Sequence, residues 1–107
     1  MPIIVTDENF SSIVNQTEKS VLVDFYATWC EPCSMLAPIL ENLEKKYETE
    51  LVLVKANVDD TPLASGQFQV DRIPMIILFK NGQPVDTFTG FQPEPILEEW
   101  LKQALNK

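Results

Sequence analysis

Apolar and polar positions along the chain fall into short blocks whose spacing changes from element to element. Residues 2–5 form an apolar stretch that predicts a first strand. Thr6-Asp7-Glu8 reads as a helix start, with Thr6 able to cap and two acids in the first turn. Phe10, Ile13 and Val14 give that helix its apolar face. After the polar break Glu18-Lys19-Ser20, residues 21–27 are almost continuously apolar, the pattern of a central strand covered on both faces. Met35, Leu36, Ile39, Leu40, Leu43 and Tyr47 then recur at helical spacing. Pro38 lies inside that pattern, where a missing backbone hydrogen bond should bend the helix.

Residues 51–56 predict a third strand, interrupted by Lys55, and 57–60 a loop. That loop lacks the spaced oxygen ligands and the glycine of a calcium site. Thr61 or Asp60 can cap a short helix over 62–68. The apolar run 75–79 follows Ile73-Pro74, and residues 85–89 return after Lys80-Asn81-Gly82-Gln83. Asn-Gly between apolar runs predicts a tight hairpin, because both central residues accept positive φ. Gly90-Phe91 breaks the pattern. Pro93 and Pro95 open a last amphipathic helix carrying Ile96, Leu97, Trp100, Leu101, Ala104 and Leu105.

The predicted order is β-α-β-α-β-α-β-β-α. Its alternating first half calls for parallel strands with right-handed crossovers, and the hairpin adds two antiparallel ones. The expected fold is α/β, one domain over residues 1–107, with a mixed five-stranded sheet and helices on both faces. Composition adds little to this: 45% hydrophobic and 22% charged residues are ordinary for a globular chain. Charge adds more. Sixteen acidic against eight basic residues give a net −8, which argues against nucleic acid or an anionic membrane as partner. No apolar run reaches membrane-spanning length, and no basic-then-apolar leader opens the chain, so a reducing cytoplasm is the default expectation.

The two cysteines stand in Trp29-Cys30-Glu31-Pro32-Cys33, between a buried strand and a helix start. The spacing admits a redox pair, half of a zinc site, or two unrelated small apolar residues. Placement favours the redox pair: a helix N-terminus presents free amides and a dipole that suit a thiolate. Zinc is disfavoured because there is no histidine and no third cysteine. Asp24, inside the apolar strand, is either an acid on a locally wet face or a buried carboxyl poised to exchange a proton with a thiol. Lys55 is either a lysine reaching for solvent or a partner for Asp24.

Over its whole length the chain resembles the thioredoxin family. The carrying stretches are residues 23–33, Ala37-Pro38, Lys55, Ile73-Pro74, Phe79-Lys80-Asn81-Gly82 and Thr89-Gly90. The resemblance implies a protein-disulfide reductase, a general electron donor whose Cys30–Cys33 pair is the redox centre and which needs no other cofactor. Cys30 would attack and Cys33 resolve. Asp24 would carry the proton of Cys33, with Lys55 nearby. Pro74 would follow a cis bond facing the cysteines, and the Ile73 backbone would pair with substrate. Trp29, Pro32, Ile73, Pro74, Gly90 and Phe91 would ring the site as a docking surface, although Trp29 reads equally well as core. Protein disulfides as substrates, a thioredoxin reductase as electron source and a monomeric state are implied in the same way.

Two departures stand out. Glu31 occupies the usual glycine position, which bears on redox poise and reductase affinity, and Arg72 places a cation beside the substrate groove. A module that binds partners without turnover is the competing class, and the intact cysteine pair with Asp24 argues against it. An oxidase or isomerase is the competing enzyme. Such proteins depend on a stabilised thiolate, often with a basic residue between the cysteines, and the acid at Glu31 points toward a reductant.

Overall fold

In a computed structural model, which describes residues 2–16 and 18–107, strands and helices follow the expected order. They are β1 (Ile3–Val5), α1 (Phe10–Val14), β2 (Ser20–Tyr26), α2 (Glu31–Lys46), β3 (Leu51–Asn57), α3 (Pro62–Gln67), β4 (Met75–Lys80), β5 (Gln83–Thr89) and α4 (Glu94–Leu105). The sheet runs β1-β3-β2-β4-β5. β3 is parallel to β1 and to β2, while β4 is antiparallel to both β2 and β5. β2 is therefore central, and all but its two end residues are fully buried. The hairpin turn has the predicted chemistry: Asn81 and Gly82 both take positive φ, 52° and 78°, between the paired residues Lys80 and Gln83.

Strand alternation divides the core into two layers. Val21, Val23 and Phe25 of β2 join Phe10, Val14, Ala64, Ile77 and Phe79 on the side of α1 and α3. Leu22 of β2 joins Leu36, Leu40, Leu43, Leu53, Leu78, Leu97 and Leu101 on the side of α2 and α4. Tyr47 at the end of α2 donates to Glu98 of α4 at 2.6 Å, and Lys46 pairs with the same carboxylate at 2.7 Å, locking the two helices side by side. No helix among the described residues is long and apolar enough to cross a membrane.

Several local expectations are corrected. Thr6 does not cap α1, whose N-cap is Asn9; Thr6 instead opens a turn, its amide donating to Asn9 Oδ1 at 2.8 Å. Asp7 serves a different helix. Its carboxylate accepts from the amides of Leu63 and Ala64 at 2.9 and 3.0 Å, capping α3. Thr61 stands at the N-cap of α3, but its hydroxyl donates to the Asn57 carbonyl, and α3 ends at Gln67 rather than residue 68. Met35 and Ile96, counted in apolar stripes, are half exposed, because the stripes of α2 and α4 are narrower than the apolar pattern.

Candidate active site

β2 ends at Tyr26, and the chain turns through residues 27–29, closed by the Cys30 amide on the Ala27 carbonyl at 3.3 Å. Cys30 is the N-cap of α2. Extended backbone there (φ −99°, ψ 111°) aims its sulfur back over the first turn, where Sγ accepts from the Cys33 amide at 3.3 Å. Pro32 fits the first turn because the amide it lacks would have had no helical partner. Cys30 and Cys33 are joined as a disulfide, their Cα atoms 5.3 Å apart. In this oxidised form both are buried, at 7% and 3% exposure. Exposure therefore differs only slightly between the two cysteines while the bond is intact.

Ile73 packs against the cluster of Ala27, Cys30 and Cys33, and the Ile73–Pro74 peptide bond is cis. Pro74 is buried, and its carbonyl accepts from the Gly90 amide at 3.0 Å, which ties the end of β5 to this turn. Gly90 has φ +83°, a conformation open to glycine at little cost, where the chain leaves the sheet toward Phe91. Phe91 and Pro32 are exposed.

Trp29 is 71% exposed, which excludes the core alternative. Its indole N–H donates to Asp59 Oδ2 at 3.1 Å. Asp59 lies in the 57–60 loop, where the sequence alone marks no part in the site. The parallel pairing of β2 with β3 is the signal that could have found it, since parallel neighbours deliver their C-terminal loops to one edge. Glu31, the first residue of α2, is exposed beside Cys30. Arg72 is exposed too, but its guanidinium lies 3.4 Å from the Asp71 carboxylate, so its charge is locally matched.

Asp24 is 1% exposed and Lys55 is its cross-strand partner. Asp24 is thus buried and not on a wet face, and Lys55 Nζ reaches its Oδ2 at 2.7 Å. Burial raises the Asp24 pKa above the ordinary carboxylate range, and the Lys55 charge and hydrogen bond pull in the opposite direction without cancelling it. Among the described residues, Asp24 Oδ1 has no hydrogen-bond partner. A crevice of about 280 Å³ opens beside the pair, lined by Tyr26, Thr28, Cys33, Ser34 and Lys55 among others, so Lys55 and Cys33 share one solvent-reaching space. No group of three or more metal-ligating side chains occurs among the described residues.

A cysteine pair closed as a disulfide at a helix start, on this mixed sheet, marks a thiol–disulfide oxidoreductase. Comparison with known proteins narrows the class. The family model described as thioredoxin matches residues 1–103. The chain is also 46% identical over 101 residues to the thioredoxins of Staphylococcus haemolyticus (strain JCSC1435) and Staphylococcus aureus (strains Mu50 and MW2), covering 94% of this chain and 95% of each relative. The chain belongs to the thioredoxin family, and its activity is that of a protein-disulfide reductase.

Proposed function

We propose that the chain is a general protein-disulfide reductant in which Cys30 attacks and Cys33 resolves. The Cys30 thiolate attacks one sulfur of a substrate disulfide. The new S–S bond forms as the substrate bond breaks, and the departing sulfur takes a proton. The Cys33 thiol then gives its proton to the Asp24 carboxylate, directly or through water in the crevice, and attacks Cys30 Sγ. The substrate's second sulfur leaves as a thiolate and takes up a proton, which Asp24 can return. Two electrons have passed to the substrate, and the Cys30–Cys33 disulfide remains. The cysteine pair carries the electrons, and no further cofactor enters the scheme.

The observation that carries this assignment is the position of Cys30 as N-cap, with the Cys33 amide directed at its sulfur. The same donor would stabilise a Cys30 thiolate, whereas Cys33 lies one turn in, beside the crevice it shares with Lys55. Lys55 keeps Asp24 from becoming too weak an acid to release its proton afterwards. Ile73 and Pro74 offer backbone to the substrate, with Trp29, Glu31, Pro32, Arg72, Gly90 and Phe91 as the surrounding docking face. A thioredoxin reductase recharges the pair, and the protein works as a monomer in a reducing cytoplasm; the absence of any cysteine outside the pair suits that compartment.

Insulin reduction with dithiothreitol tests the roles. Cys30→Ser should abolish catalysis. Cys33→Ser should accumulate a covalent mixed disulfide through Cys30. Trapping through Cys33 in the Cys30→Ser protein, with none in the converse variant, would reverse the assignment.

A further inference from the structure

Tyr26 closes β2, two residues beyond Asp24, so strand alternation places both side chains on the α2 side of the sheet. Lys55 reaches the same side from β3. Two groups among the described residues meet its ammonium. One is Asp24 Oδ2 at 2.7 Å; the other is the Tyr26 ring, whose centroid lies 4.5 Å away. The Lys55 side chain is only 14% exposed, a setting in which a cation–ring contact is stronger than at an open surface. Among the described residues Lys55 is also the one hydrogen-bond partner of the Asp24 carboxylate, whose second oxygen has none.

We propose that Tyr26 is a positioning residue for proton transfer: its ring fixes the Lys55 ammonium against Asp24. The proposal rests on the reading of Asp24 as proton acceptor for Cys33 and adds to it a residue outside that chemistry. A lysine has a flexible four-carbon stem, and the adjoining crevice offers its head a route to water. The ring occupies one wall of that crevice and rewards the inward position. Among the described residues, Lys55 is the one charge that acts on the Asp24 carboxyl. β3 presents Lys55, α2 presents Cys33 with the uncharged Ser34 and Ala37 at the crevice, and β4 presents the apolar Ile76 as cross-strand neighbour. Replacing the ring by an aliphatic side chain should let the ammonium wander. A weaker positive potential favours the neutral acid, so Asp24 should titrate at higher pH.

Carbon NMR of the Asp24 carboxyl in the oxidised protein, where neither cysteine titrates, is the test. The Asp24 midpoint in Tyr26→Leu should rise by about half a pH unit, and in Tyr26→Phe, which keeps the ring, it should stay at the wild-type value. In a Lys55→Met background the leucine substitution should add nothing. Tyr26→Met replaces the leucine variant should that one fail to fold. Equal midpoints in wild type and the aliphatic variants would overturn the proposal, as would an equal rise with and without Lys55, which would make the ring a matter of burial alone. The pH profile of mixed-disulfide resolution separates this failure from that of the underlying reading. If Asp24→Asn resolves with the wild-type profile, the proton-acceptor role falls. If only the Tyr26 variants do, that role stands and the positioning role falls.

Discussion

The two faces of the sheet are built differently. On the side of α1 and α3 the core is centred on aromatic rings and, among the described residues, holds no buried charge: Phe10 meets Phe25, Phe68 and Phe79 with centroids 5.9, 5.9 and 6.2 Å apart, and Phe68 stands edge-on to Phe79 at 5.1 Å. On the side of α2 and α4 it is mostly leucine, and the same strand that supplies Leu22 supplies Asp24 two residues later. A buried ion pair is a poor stabilising device, since desolvation offsets most of its attraction. The charged pair lies at the end of the layer where β2 hands the chain to the cysteines. Both faces therefore hold the fold together, and the α2 face also gives up some stability to place an ion pair beside the crevice that Cys33 lines.

That contrast can be broken most severely from the aromatic side. Phe79 is fully buried and touches Phe10 and Phe68. Phe79→Ala should cost about 3–5 kcal/mol in urea denaturation while leaving the reduction rate per folded molecule unchanged. A cost below about 1 kcal/mol would mean that the ring cluster does not hold this face.

Asp24→Asn probes the other face, with a smaller effect that depends on pH. The folded-state pKa of Asp24 is raised, so the native state binds the proton more tightly than the unfolded chain. Wild-type stability is then intact below the unfolded carboxylate value and falls as pH rises through the raised one. The asparagine variant lacks this loss, and its stability relative to wild type should improve from acid to neutral pH. Lys55, left without its counter-ion, can turn to the crevice. A difference independent of pH would show that Asp24 titrates normally.

Asp7→Ala should destabilise by about 1 kcal/mol, the usual cost of losing a helix cap, through a helix 56 residues away in sequence. Amide exchange should quicken at Leu63 and Ala64 before it quickens in α1. The smallest effect is at Glu31. Its exposed carboxylate opposes the neighbouring Cys30 thiolate, screened by water and salt. Glu31→Gly should speed iodoacetamide labelling of the reduced protein about twofold at low salt and make the redox potential less negative by roughly 10 mV. Unchanged or slower labelling would give helix-start geometry, not charge, control of this position.

What the sequence disclosed follows the range of each interaction. The Asn81-Gly82 hairpin and the central strand were legible because turn chemistry and double-sided burial are local. The cap on α3 was not, since Asp7 and Ala64 meet only once β1 and β3 pair. Trp29 was ambiguous for the same reason: its exposure and its bond to Asp59 depend on two loops brought to one edge. Asp24 and Lys55 were visible as misfits in apolar strands, but their partnership lies in the parallel register that sets them side by side. The cis bond before Pro74 came from family resemblance, since nothing in the local sequence marks it.

The most direct test of the account is the rate at which Cys33 resolves a mixed disulfide preformed on Cys30, followed as a function of pH in wild type and Asp24→Asn. The account predicts that the wild-type profile contains an ionisation above the ordinary carboxylate range, and that the asparagine variant loses it and resolves more slowly near neutral pH. Superimposable profiles would contradict it, leaving the charged end of the α2 face without a part in the chemistry.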